Sequence, residues 1–295
     1  MRRQVLTILL AMILILVLSI TNEDTTSEAA RVFSNQSIAE SCPYSAPEVV
    51  LSLNFFSEHE RKGVIAIYKP YDNWQFEILE NPDNQTTNTV DVIDNDCNPE
   101  IVAGTYEPGR IVSFEWDNGW NRLILSEPSE RRIRDIAVGD ANNDGVDDII
   151  GVTHSNGWVL LLENNGTWDN GTVIDQENWG HYRTWNHEVE IGDIYNDGEN
   201  EVIYTPTLPN EQFGEEQVGC ITILKWVDGE WIKDNITDFG KTHAKEIALG
   251  DVDNDGKVEI VAALNAVIDP LPENNLLTKF SESEHEFKKQ LEIRM

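Results

Sequence analysis

This sequence predicts an all-β fold made of about five four-stranded antiparallel units, and three observations predict it. Acidic turns with one internal spacing recur between short apolar strands. The strand that follows each turn recurs about every fifty residues, which marks a repeat array. Tight turns such as Asp117-Asn-Gly-Trp and Asp228-Gly-Glu-Trp carry the residues of two-residue hairpins. With 295 residues, 40% of them hydrophobic, the chain is long enough to bury a sizeable core.

The clearest acidic turn is Asp251-Val-Asp-Asn-Asp-Gly-Lys-Val-Glu259. Asp251, Asp253, Asp255 and Glu259 are hard oxygen donors at spacings that let a tight turn converge on one cation, and the carbonyl of Lys257 can add a main-chain oxygen. Gly256 permits the bend. An EF-hand is excluded, because its bidentate glutamate would fall on Ala262 and the flanks read as strands. The same offsets place Asp140, Asn142, Asp144 and Asp148 in a second turn, with the Val146 carbonyl. A third has Asp193, Asp197 and Glu201 with the Glu199 carbonyl, but Tyr195 holds its third position. A weaker copy has Asp94, Asp96 and Glu100, with Cys97 where glycine belongs. Two to three calcium sites are expected.

The remaining elements follow in order. After each turn comes a strand opening on Glu48, Glu100, Asp148, Glu201 or Glu259. A second starts near Gly63, Gly109, Gly157, Gly219 or Leu276. An aromatic then opens a third: Trp74, Trp120, Trp168 or Trp231, with Phe287 in the last copy. One more strand precedes each turn, as in Asp135-Ile-Ala-Val-Gly, Val189-Glu-Ile-Gly and Ile247-Ala-Leu-Gly. A four-stranded unit of this kind leaves an apolar face and two edges, so it needs neighbours. Radial packing of such units gives a β-propeller, here of about five blades over residues 34–295, or a truncated seven-bladed one. A flat β-solenoid is the structural alternative.

Ile136-Ala-Val-Gly-Asp-Ala-Asn-Asn-Asp-Gly-Val-Asp-Asp-Ile-Ile-Gly151 resembles an FG-GAP (VCBS-type) repeat, the unit of the integrin alpha-chain propeller. Glu246 to Ala262 is similar, and Val189 to Tyr204 less so. The resemblance implies calcium turns joining the first and second strands of a blade on one face. It also implies ligand contacts on the opposite face. It is specific for fold and calcium rather than for an activity.

A net charge of −32, from 53 acidic and 21 basic residues, argues against nucleic acid, which needs a positive footprint. Arg2 and Arg3 precede an apolar run over residues 5–20, so residues 1–20 read as a signal peptide or signal-anchor helix and 21–33 as a polar tether. The chain is therefore expected outside the cell or at its surface, with membrane anchoring through residues 5–20 open. Asn-x-Ser/Thr sites at Asn35, Asn84, Asn165, Asn170 and Asn235 agree mildly with export. Cys42 and Cys97 fall in equivalent loops and form a candidate disulfide, whereas Cys220 reads as a buried thiol.

The segment from Asn178 to His187 is a candidate ligand-binding loop. Trp179, Tyr182 and Trp185 can stack on a sugar ring or an apolar patch, and Arg183 can hold a carboxylate. His181, His187 and nearby His154 complete the set. The plainer reading packs these aromatics between blades. The sequence shows no His-Glu-x-x-His, Gly-x-Ser-x-Gly or phosphate-cradling loop. A non-catalytic module for an extracellular protein or glycan is thus expected; a calcium-dependent polysaccharide lyase or glycoside hydrolase is the alternative.

Overall fold

The computed structural model describes residues 30–32, 48–56, 61–69, 72–80, 86–94, 98–168, 170–179, 182–208, 219–238, 242–266 and 277–280. The apolar amino-terminal run, Cys42, Cys97, Asp96, His181 and Phe287 lie outside them. Among the described residues the structure is all β, without an α-helix and without a helix long and apolar enough to cross a membrane. The chain divides into two compact units, Met1–Ile133 and Arg134–Met295.

In the first unit β1 (Ala30–Val32), β2 (Val49–Phe56), β3 (Arg61–Lys69) and β4 (Gln75–Glu80) form an antiparallel sheet in that order. β1 falls within the segment expected to be a tether. Beside this sheet are β5 (Thr86–Ile93), β6 (Glu100–Trp116) and the start of β7 (Trp120–Gly139), again in chain order. The sequence reading divides Glu100–Gly139 into four strands, whereas the chain makes two long, bent ones. Register shifts between Tyr106 and Val112 bend the ladder without ending it. The Thr105 hydroxyl holds the bend, donating to the Pro108 carbonyl at 2.9 Å and accepting the Arg110 N–H at 3.0 Å. Val50, Ile65, Ile67, Leu79, Val90, Ile101, Ala103, Val112 and Phe114 share one core.

Among the described residues the second unit has three larger sheets and one two-stranded ladder. The end of β7 continues through β8 (Asp148–Thr153), β9 (Trp158–Leu162) and β10 (Thr172–Gln176). A two-residue ladder, β11 (Asn178–Trp179) with β12 (Tyr182–Arg183), follows. Next come β13 (Trp185–Gly192), β14 (Glu201–Thr207), β15 (Cys220–Val227) and β16 (Glu230–Asp238), ordered as they occur in the chain. The last sheet is β17 (Thr242–Gly250), β18 (Glu259–Ala266) and β19 (Leu277–Phe280). Cys220 is a buried thiol outside any disulfide, as expected.

Strand periodicity explains why β14 is buried along its whole length. Side chains alternate between faces, so a strand buried throughout suits a sheet covered on both sides. Val202, Tyr204 and Leu224 enter a core with Ile150, Val152, Val159 and Leu161. Ile203, Ile221 and Ile223 enter another with Ile247, Ile260 and Ala262. The middle sheet is the shared wall of two cores.

Tryptophan placement is partly corrected. Trp120 opens β7 and Trp231 lies at the start of β16, but Trp74 sits in the turn before β4 with φ 60°. Trp168 bridges Asn164 instead of opening a strand, and β10 begins only at Thr172. A local turn wins there: Asn165 Oδ1 accepts from the Thr167 N–H and hydroxyl, and Gly166 takes φ 90°.

Three of the strands that precede acidic turns share a defect. β5, β13 and β17 each slip register after their first two or three ladder pairs, at Thr87/Thr89, Asn186/Val189 and Ala244/Glu246. In β13 the bulge leaves consecutive residues, Asn186 to Val189, buried. Glu188 hydrogen-bonds Asp135 and Glu246 side chains, and burial first, then these carboxylates, holds its carboxyl well above the usual range. A carboxyl raised on folding contributes most when protonated, and that contribution is lost as pH rises through its folded pKa. Glu188→Gln is therefore expected to melt with the parent in acid and increasingly above it as pH rises, read by thermal melts between pH 4 and 9. Parallel curves would contradict this.

Candidate functional site

Three acidic corners of the second unit join β7 to β8, β13 to β14 and β17 to β18. The antiparallel ladders run to their edges, pairing Gly192 with Glu201 and Gly250 with Glu259. The corners share one backbone conformation. Asn143, Asn196 and Asn254 at the fourth position have φ 61°, 55° and 64°, and Gly145, Gly198 and Gly256 at the sixth have φ 88°, 91° and 90°. The left-handed region suits asparagine and glycine, so both positions are conformational requirements.

Hydrogen bonds repeat equally closely. The first aspartate of each corner accepts two main-chain N–H groups: Asp140 from Asp144 and Gly145, Asp193 from Asp197 and Gly198, Asp251 from Asp255 and Gly256, all at 2.9–3.0 Å. The fifth residue accepts from the seventh: Asp144 from Val146, Asp197 from Glu199, Asp255 from Lys257. Asn142 adds a bond from the Asp144 N–H at 3.0 Å. In the second and third corners the closing glutamate reaches back, Glu201 to the Ile194 N–H and Glu259 to the Val252 N–H.

The donor sets suit a hard cation. Asp251, Asp253, Asp255 and Glu259 each present a carboxylate oxygen, all within 4.8 Å of one another, so this corner can hold a metal ion. In the first corner Asp148 is 1% exposed and its Oδ2 has no hydrogen-bond partner, while Oδ1 accepts the Asn164 N–H at 3.0 Å. Burial pushes the Asp148 carboxyl up to about 6; the Asn164 N–H opposes this, and Asp144, Glu163 and Asp140 add to it. A buried carboxylate oxygen lacking a donor is what a cation would satisfy.

The second corner differs. Glu201 is fully buried, and burial pushes its carboxyl up to about 7 against the opposing pull of Lys225 and the Ile194 N–H. Lys225 Nζ lies 3.3 Å from Glu201 Oε1 and 3.2 Å from Asp197 Oδ2. In the first unit, Asp94 is buried with Oδ1 unpartnered, and Glu100 is half-buried at the start of β6.

Sequence reasoning missed the fourth-position asparagines and Lys225. Asn143 Oδ1 accepts the Asn200 N–H at 2.7 Å and its Nδ2 donates to the Asn200 carbonyl at 3.1 Å. Asn196 Oδ1 likewise accepts the Val258 N–H at 3.2 Å. Asn143 and Asn196 thus each clasp the eighth residue of the following corner. The signal was legible, since asparagine fills the fourth position of all three turns.

The aromatic set divides. β8 leads away from the first corner to His154, and β13 starts at Trp185 and ends at the second corner, so His154 and Trp185 lie at strand ends remote from the corners. Their rings stack at 4.2 Å with an interplanar angle of 28°. His187 is not on a loop: it lies in β13, 3% exposed, and stacks on buried His243 at 5.1 Å. Burial, then Lys245 and Arg134, holds its pKa well below the usual value. Trp179, Tyr182 and Arg183 lie on the short β11–β12 ladder, their side chains outside the described set.

No family model matches the chain, and no curated protein does. A solved structure described as the basis of specific recognition of non-reducing terminal N-acetylglucosamine by an Agrocybe aegerita lectin is similar at 15% identity and a TM-score of 0.42. The match covers 68% of this chain and 54% of that one.

The clasp gives a test. Asn143→Gly keeps the backbone conformation but removes the two bonds to Asn200, and is expected to cost about 1–2 kcal/mol in urea unfolding. An unchanged midpoint would show that the clasp adds nothing.

Proposed function

We propose that the chain is an exported β-propeller of about five FG-GAP-type blades, that calcium holds its acidic corners, and that it serves as a binding module for an extracellular protein or glycan. The observation that supports it best is the third corner, where four carboxylate oxygens converge on a turn whose conformation is repeated twice more. All donors are oxygen and the turn is nine residues long, which favours calcium, tolerant of irregular sets of six to eight oxygens, over octahedral magnesium. Asp251, Asp253, Asp255 and Glu259 would hold one ion, and Asp140, Asn142, Asp144 and Asp148 another. The Lys257 and Val146 carbonyls would supply main-chain oxygens.

A bound ion would supply positive charge where carboxylates converge. The chain's own residues do the positioning: Asp251 ties down two N–H groups, and Glu259 anchors Val252. Ligand contact is assigned to the remote strand ends, where His154 and Trp185 stack. The sugar or side chain bound there would lie against the exposed part of that pair, with Trp179, Tyr182 and Arg183 nearby in sequence.

Calcium removal tests the first part. A ligand that binds only the folded state stabilises it by mass action, by about 2.7 kcal/mol at a hundredfold excess over Kd. Excess chelator is expected to lower the melting temperature, and Asp255→Ala to abolish more of that response than Asp96→Ala. A melt indifferent to chelator would overturn the calcium assignment. The second part is tested by arrays of acidic and neutral glycans and surface proteins, with and without calcium. Retention without product release is expected; release of cleaved glycan would replace the binding reading with the lyase or hydrolase one.

A further inference from the structure

The second corner breaks the pattern of its neighbours at two positions that meet in space. Its third residue is Tyr195, where the first corner has Asn142 and the third has Asp253. An aromatic ring offers a cation its π face in place of an oxygen. The other departure arrives by strand register. β14 and β15 pair Val202 with Leu224, and one step further along that ladder stand Glu201 and Lys225. β8 and β9 pair Ile149 with Leu162, so the equivalent step in the first corner sets Glu163 beside Asp148. Only the middle corner receives a base from this position among those two.

Lys225 Nζ is 3.2 Å from Asp197 Oδ2, 3.3 Å from Glu201 Oε1 and 4.1 Å from the centroid of the Tyr195 ring. Residues one, five and nine of the corner retain their acids, and the first still binds its two N–H groups. The ammonium therefore occupies the side of the turn where the carboxylates of positions five and nine face each other. A divalent ion drawing on the same oxygens would meet a like charge on a tethered stem.

We infer that Lys225 is the built-in cation of the second corner, and that this corner takes an ammonium where its neighbours take a metal ion. Asp193, Asp197, Glu199 and Glu201 then leave the set of expected calcium ligands, and two of the three corners of this unit remain metal sites. The comparison with the outer corners rests on the calcium reading, whereas the lysine contact stands on its own geometry. Its consequence is a middle sheet whose corner stays closed when calcium is scarce.

The test uses the full chain. In excess chelator, Lys225→Met is expected to lower the melting temperature by about 2–4 °C, the shift that roughly 1 kcal/mol produces in a domain of this size. Asp197→Asn is expected to cost less in the Lys225→Met background than in the parent, which identifies the pair and not a general packing loss. If Lys225→Met does not fold, Lys225→Gln reads the same contact. Calorimetric titration with calcium is expected to give two ions for the parent and none for Asp140→Ala/Asp251→Ala. An ion still bound by that double variant and lost on adding Asp193→Ala would overturn the inference, as would a Lys225→Met melt identical to the parent in chelator. A parent that binds no calcium would sink the reading of the outer corners, while the melts in chelator would still decide the lysine.

Discussion

Carboxylates converging on a turn of nine residues repel one another, and the second unit depends on how that repulsion is offset. The first answer is local. Each leading aspartate accepts two main-chain N–H groups, so the backbone already holds partial positive charge against it. That bonding needs positive φ at the fourth and sixth residues, and the chain supplies asparagine and glycine there each time. The second answer is a full positive charge: Lys225 in the middle corner and, in the reading proposed above, calcium in the others.

The offset matters because the corners set the register of the ladders. A one-residue slip at Gly192/Glu201 would send Val202 and Tyr204 into the core now filled by Ile203, and the reverse. Both cores would then hold side chains of the wrong volume. Corner chemistry and core packing are thus coupled through strand alternation. The closing glutamates strengthen the coupling, because Glu201 and Glu259 are at once the first residues of buried strands and acceptors for the loop.

Most of the all-β architecture was legible in the sequence, since hydrophobic runs of strand length alternated with turns of strong conformational preference. The places of the corners were legible because aspartate and glycine mark special backbone angles there, whereas the clasp made by Asn143 and Asn196 was not. The failures have physical causes. The repeat alignment places Trp168 at the start of a strand, yet the Asn165 side chain closes a local turn there. The repeat alignment places His187 on a loop between two repeats, whereas it lies in β13, where a bulge buries neighbouring residues together. Lys225 lies twenty-four residues beyond Glu201, and only strand pairing brings it to the turn.

The asparagine clasp has an asymmetry with an evolutionary reading. The giving side demands a particular amide in the left-handed region, but the bond common to both clasps asks of the receiving side a peptide N–H, from Asn200 in one case and Val258 in the other. Any residue except proline can receive. A duplicated segment would therefore arrive carrying its own fastener and needing nothing special of its host, which makes tandem copying an easy route to longer arrays of this design.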